Sequence, residues 1–242
     1  MNRALLLTVG LLLVAACTTG PSITAGVIST LNTVGPGEQR VLIELRNEQG
    51  EPFAVDVVPN ATLRDENGSP LGVYPGELVW LVPEEVPVYA FVMQIPEAET
   101  FQVTVDAGEL GETPPAGFVT VADPIQVEVG EVAPDIDGET VPGPSLVVFA
   151  SPNWCPARSC QPMMDQAEAV SSPGLPWAQV EVFANPETEN EDELELAPVV
   201  DQWGIPSQPW LYVIDGEGLV SSLFEGAVSD RELDEAVARA TR

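Results

Sequence analysis

Two cysteines five positions apart, Cys155 and Cys160, are the residues of this chain best suited to chemistry, because a thiolate is both a nucleophile and a metal ligand. A third, Cys17, lies near the N-terminus. The chain has 242 residues and no histidine, which excludes a Ser-His-Asp triad, a Cys-His dyad and an imidazole metal site. Eight basic residues, all arginine, face 38 acidic ones for a formal net charge of -30. Nucleic acid and anionic lipid recruit basic surfaces, so neither is expected as an electrostatic partner. Charged residues make up 19% of the chain, below the roughly 25% usual for soluble domains, so the acidity reflects missing cations rather than crowded acids. The acidic run Glu187, Glu189, Glu191, Asp192, Glu193 and Glu195 lacks the order of an EF-hand loop and reads as a solvated loop with acids at a helix start. No metal site and no cofactor motif is read.

The third cysteine belongs to an address. Arg3 precedes an apolar run from Ala4 to Ala16 that is shorter than the roughly 20 residues a membrane span needs. It reads as a signal peptide over residues 1–16. The small residues before Cys17 resemble a bacterial lipobox, which implies a lipidated Cys17, a tether over 17–22 and an exported protein held on the outer side of a membrane. Several acyl chains anchor stably where one does not. Export also places Cys155 and Cys160 where disulfides can persist.

The elements that must position the pair fall into two parts, 23–129 and 130–242. In the first, Val41, Ile43 and Leu45 alternate with Leu42, Glu44 and Arg46, and Phe101, Val103 and Val105 alternate with Gln102, Thr104 and Asp106. That is the period of strands. Asn47 to Gly50 and Glu66 to Ser69 are turn signals. Seven to nine short strands in about a hundred residues predict an all-β sandwich of immunoglobulin-like type. Phe53, Tyr74, Trp80, Tyr89, Phe91 and Phe101 are its expected core aromatics, and its role reads as a spacer or docking module.

The second part alternates strand and helix: a strand over 145–150, a helix over 160–171, a strand over 177–184, a helix over 192–203, and strands over 210–215 and 219–225. A last helix opens on Ser229 with a capping box to Glu232, and Leu233, Ala236, Val237 and Ala240 share one face. This predicts an α/β sheet with helices on its faces.

Residues 145–163, with Trp154-Cys155 and Cys160 after an apolar strand, and residues 203–215, with Ser207-Gln208-Pro209 before another, resemble thioredoxin-like oxidoreductases of the membrane-tethered TlpA type. The resemblance covers about the last 110 residues. It implies a thioredoxin-like α/β fold and thiol-disulfide exchange through Cys155 and Cys160, with a cis peptide before Pro209 and Pro209 facing the cysteines. Cys155, at a strand-to-helix junction, is the expected attacking sulfur, and Cys160 the resolving one. Trp154 and Gln208, with Pro209, are expected to meet substrate. The implied partners are protein thiols or disulfides and an upstream redox partner, with the membrane reached through the lipid anchor.

Two features depart from that family. Four residues separate the cysteines instead of two, so a disulfide requires the loop to fold back, which Pro156 favours. The preceding strand offers Val147, Val148 and Phe149 where the family often has a carboxylate. A thiol peroxidase using the same pair, a non-catalytic lipoprotein with a structural disulfide, and an adhesion protein acting through its β half are the alternatives.

Overall fold

The computed structural model describes residues 23–30, 34–97 and 99–242. The expected signal peptide, the tether and Cys17 lie outside the described residues. In the N-terminal half seven antiparallel strands are β1 (Thr24–Val27), β2 (Gly37–Arg46), β3 (Asn60–Arg64), β4 (Pro70–Val82), β5 (Val86–Ile95), β6 (Thr100–Asp106) and β7 (Ala116–Val119), in the order β1-β2-β5-β4-β3-β6-β7. The 13-residue β4 changes partner part-way. Its first residues pair with β3 and those from Gly76 onward pair with β5. A Cβ at Gly76 would press on the Phe91 ring and Pro59, so only glycine lets the strand cross there. The sheet thereby folds into two layers over one core of Val41, Ile43 and Leu45 from β2, Phe91 and Met93 from β5, and Leu63, Phe101 and Val103 from the other layer. This two-layer antiparallel body is immunoglobulin-like. Tyr89, Phe91 and Phe101 are buried as expected, whereas Trp80, near the hairpin end of β4, is 36% exposed.

The C-terminal half holds β8 (Ser145–Phe149), α1 (Cys160–Val170), β9 (Trp177–Val180), α2 (Pro198–Trp203), β10 (Trp210–Ile214), β11 (Val220–Glu225) and α3 (Asp230–Ala240). Its sheet has the order β11-β10-β8-β9, with only the β8–β9 pair parallel. Period-two alternation sends Leu146, Val148, Leu211 and Val213 to the face covered by α1 and α3. Val147, Phe149, Tyr212 and Ile214 go to the face covered by α2, where Trp203 packs 4.9 Å from Phe149 and 5.0 Å from Tyr212 between ring centroids. Helix α3 opens on the capping box: Ser229 Oγ accepts the Glu232 N–H at 3.1 Å and Glu232 accepts the Ser229 N–H at 3.0 Å.

The expected fold class, an immunoglobulin-like sandwich followed by a thioredoxin-like α/β domain, is corrected. The chain is predominantly β, and its α-helix among the described residues amounts to three segments of 11, 6 and 11 residues. The helix expected over 192–203 shrinks most. Asn185 accepts the Glu195 N–H at 2.8 Å and donates to the Glu193 carbonyl at 2.7 Å, holding that stretch as a loop. Pro198 lacks an N–H for a helix interior and sits instead in the first turn of α2.

The two halves meet through side chains. Arg40 makes a two-pronged ion pair with Glu232 at 2.7 and 2.9 Å and lies 5.5 Å over the Phe224 ring. Glu77 receives Ser229 Oγ at 2.6 Å and also pairs with Arg231. Leu42, Val79, Val88 and Ala90 close an apolar patch on Ala227. Burial pushes the Glu232 carboxyl up, but the Arg40 hydrogen bonds and charge, with Ser229, hold it below the usual carboxylate range. With side chains only 14% and 11% exposed, loss of Arg40 leaves a charge poorly solvated. Arg40→Gln is therefore expected to cost about 2–3 kcal/mol, somewhat under the figure for a fully buried pair. A depressed carboxylate contributes stability above its unfolded pKa that is lost as pH falls through the folded value. The melting temperatures of wild type and variant should thus differ by roughly 5–10 °C at neutral pH and converge on acidification below the ordinary carboxylate range. A gap that persists in acid would show that the pair is not its source.

Candidate functional site

The Cys155 and Cys160 sulfurs are bonded, with Cα atoms 6.2 Å apart, inside the limit of about 7 Å for a disulfide. The loop folds back as the pairing requires. Residues 152–154 form one 3₁₀ turn, the Arg158 N–H then donates to the Cys155 carbonyl at 3.1 Å, and Arg158 adopts a left-handed φ of 57° before α1 begins at Cys160. Helix never spans the two cysteines.

The two sulfurs stand in opposite surroundings. Cys155 is half-buried, and its sulfur accepts the Cys160 N–H at 3.3 Å. This N–H belongs to the first residue of α1, and Pro162 contributes none, so the start of the helix directs little else but this donor and that of Gln161 outward. The Ser159 side chain, at the N-cap, makes no capping bond and does not compete for the donor. A helix N-terminus and a donated N–H both favour negative charge on Cys155. Cys160 is fully buried, and its sulfur lies 3.6 Å from Gln208 Oε1. An amide oxygen can accept from a thiol but repels a thiolate, so this neighbour favours a protonated Cys160.

Gln208 reaches the pair from the turn before β10, and Pro209 follows it in that turn. The Gln208–Pro209 peptide is cis, and the Pro209 carbonyl accepts the Gly226 N–H at 2.9 Å. The Gln208 side chain is turned inward: Oε1 accepts the Ser151 N–H at 2.5 Å and Nε2 donates to the Trp154 carbonyl at 2.7 Å. It straps the cysteine loop to the sheet, a role the sequence does not suggest. Trp154 is half-buried, and its indole N–H donates to the Pro186 carbonyl at 2.9 Å, tying the cysteine loop to the acidic loop beyond β9. Arg158 pairs with Glu85, at the tip of the β4–β5 hairpin, at 2.8 Å. Both side chains are more than half exposed, so the pair contributes little to stability, and its charge is answered by Glu85.

Sequence reasoning misses Ser151, Ser207, Glu225 and Glu85. Ser151, Glu225 and Glu85 have partners 57, 195 and 73 positions away, and nothing in local periodicity marks any of the four. Ser207 Oγ accepts the Trp210 indole N–H at 3.1 Å and sits 3.3 Å from Glu225 Oε1. Glu225 in turn accepts the Thr30 N–H at 2.9 Å.

No protein-family model and no curated protein matches the chain. Among solved structures, the chain aligns with the crystal structure of the Lin-41 filamin domain at 11% identity and a TM-score of 0.26, over 43% of this chain and 98% of that one. The resemblance to thioredoxin-like oxidoreductases is corrected accordingly. It rests on short segments around the cysteines and Pro209, whereas the whole chain is a predominantly β protein that no family model claims.

Proposed function

We propose that the chain exchanges disulfides through Cys155 and Cys160, outside the cytoplasmic membrane and tethered through a lipidated Cys17. One observation carries the chemistry: Cys155 is only half-buried and sits on the helix N–H that favours thiolate, while Cys160 is fully buried against an amide oxygen that favours thiol. In the reduced form the Cys155 thiolate attacks one sulfur of a client disulfide. A Cys155–client bond forms, and the client's other sulfur leaves as a thiolate. That thiolate takes up the proton that Cys160 gives up. The Cys160 sulfur then attacks Cys155 and expels the second client thiolate. Two electrons have passed to the client, and the Cys155–Cys160 bond has formed. The reverse path oxidises a dithiol, and the direction is set by the difference in potential.

The decisive measurement is the rate of single-cysteine alkylation in the reduced protein, run beside turnover of a protein disulfide in glutathione buffer. Cys155 is expected to react at neutral pH at least tenfold faster than an ordinary cysteine, whose pKa is about 8.5, and Cys160 far more slowly. A static crosslink is the competing reading, and the full burial of Cys160 favours it. Equal, slow alkylation of both thiols together with no turnover would establish the crosslink instead.

The tether rests on the residues around Cys17. Cys17→Ser is expected to move the protein from the detergent phase to the aqueous phase after extraction. Unchanged partitioning would remove the anchor.

A further inference from the structure

We propose that Glu225 is a positioning residue for the cysteine pair, fixing Gln208 through Ser207 while holding the N-terminal β body against the same turn; this rests on the exchange reading above. Glu225 ends β11, directly opposite Trp210 in register. Its carboxylate takes the Thr30 N–H at 2.9 and 3.1 Å on its two oxygens, the Thr30 hydroxyl, and the Ser207 hydroxyl at 3.3 Å. Thr30 Oγ1 also lies 3.0 Å from Ser207 Oγ. Thr30 belongs to the β body, 195 positions away in the chain. Loss of hydration pushes the Glu225 carboxyl above its usual pKa, against the pull of Thr30, Ser207 and the charge of Arg40. A carboxylate kept there despite that cost has a geometric task.

That task is to hold the turn carrying Gln208. Ser207, the residue before Gln208, is held by Glu225. Pro209, the residue after it, is held by the N–H of Gly226, which directly succeeds Glu225. Gln208 is thus pinned on both sides by one dipeptide. Its Oε1 is then held 3.6 Å from the Cys160 sulfur. A disulfide sulfur has no proton to donate to that oxygen, but the Cys160 thiol has one. The contact therefore favours the dithiol form, and loosening it makes the pair easier to oxidise.

The test is the equilibrium of the full chain with glutathione. Gln208→Ala is expected to lower the equilibrium constant for reduction about fivefold, the worth of one ordinary hydrogen bond. Glu225→Ala should lower it about two- to threefold, again as part of one hydrogen bond, with Glu225→Gln, which keeps an acceptor oxygen, closer to wild type. Because Glu225 acts through Gln208, the double variant should match Gln208→Ala alone. Thr30→Val, which spares the C-terminal half, should shift the constant in the same direction if Glu225→Ala does not fold. An unchanged constant in Glu225→Ala or Gln208→Ala, or additive shifts in the double variant, would overturn the proposal. The constant belongs to the pair itself and remains measurable without any client, so failure of the exchange reading, seen as absent turnover, is a separate result.

Discussion

Cys160→Ser is expected to accumulate mixed disulfides between Cys155 and client proteins, and Cys155→Ser to trap none. The asymmetry comes from what each variant leaves behind. Without Cys160, the half-buried Cys155 still has access to a client, but no neighbouring sulfur expels the client again. The serine hydroxyl is a far poorer nucleophile toward sulfur, so release depends on external thiol and slows by orders of magnitude. The backbone N–H of residue 160 persists in the variant, so the donor that favours the Cys155 thiolate is retained. In Cys155→Ser the remaining thiol is fully buried beside Gln208 Oε1. It is inaccessible and held protonated, and both effects slow attack. Affinity capture under acid quench, then non-reducing electrophoresis, reads the outcome. Equal trapping by both variants would mean that the two sulfurs are interchangeable, contrary to their surroundings. Consumption of hydrogen peroxide by the wild type without protein trapping would assign the pair to peroxide instead.

The second large effect is structural. Gly204→Ala is expected to destabilise the protein by about 3–4 kcal/mol, combining the left-handed backbone penalty with overpacking. Gly204 closes α2 with φ 62° and ψ 40°. A Cβ there would overlap the carbonyl oxygen of Ile125. The close approach exists because the segment from residue 125 onward is laid against the end of α2, with the Val127 N–H donating to the Trp203 carbonyl at 3.1 Å. Backbone cannot yield as a flexible side chain would. The variant must move either that segment or Trp203, which is fully buried against Phe149 and Tyr212. Chemical denaturation of both proteins checks the figure. A loss of no more than about 1–2 kcal/mol, the left-handed Cβ penalty by itself, would show that the segment is free to shift. Gly50→Ala serves as the control, since it shares a positive φ of 79° with open space around it and should lose only that penalty.

How much of this structure is legible in the sequence depends on how local each cause is. The strand alternation of Val41, Ile43 and Leu45 and the capping box at Ser229 are written within a few residues, and both are found as read. The fold-back between Cys155 and Cys160 is likewise legible, from Pro156 and the distance a disulfide allows. The partner switch within β4 is not, because it depends on which strands the two halves of one long strand meet. The expected helix over 192–203 is too long because its pattern takes no account of Asn185 and Asn190, whose amides hold the backbone in a loop. Trp80 has a strand position that suggests the core, and its register opposite Pro87 puts it on the face of Tyr89 and Phe91, yet near the hairpin end of β4 it remains 36% exposed. The inward turn of Gln208 and the link from Thr30 to Glu225 join residues 54 and 195 positions from their partners, beyond any local signal. The thioredoxin-like resemblance shows the converse hazard, since short segments around reactive residues do not speak for a whole chain.

The contacts between the halves also bear on how freely this architecture could be recombined. Thr30, Arg40 and Glu77 of the β body are each bonded to a named partner in the C-terminal half, Glu225, Glu232 and Ser229. A foreign β body grafted in place of this one would have to reproduce those donors and acceptors at the same positions. Without them it would leave Glu225 without the Thr30 donors, Glu232 without its arginine and the apolar patch at Ala227 uncovered. The two halves are therefore not modules that can be exchanged independently: substitutions in Thr30, Arg40 and Glu77 are expected to be tolerated best when their partners change with them.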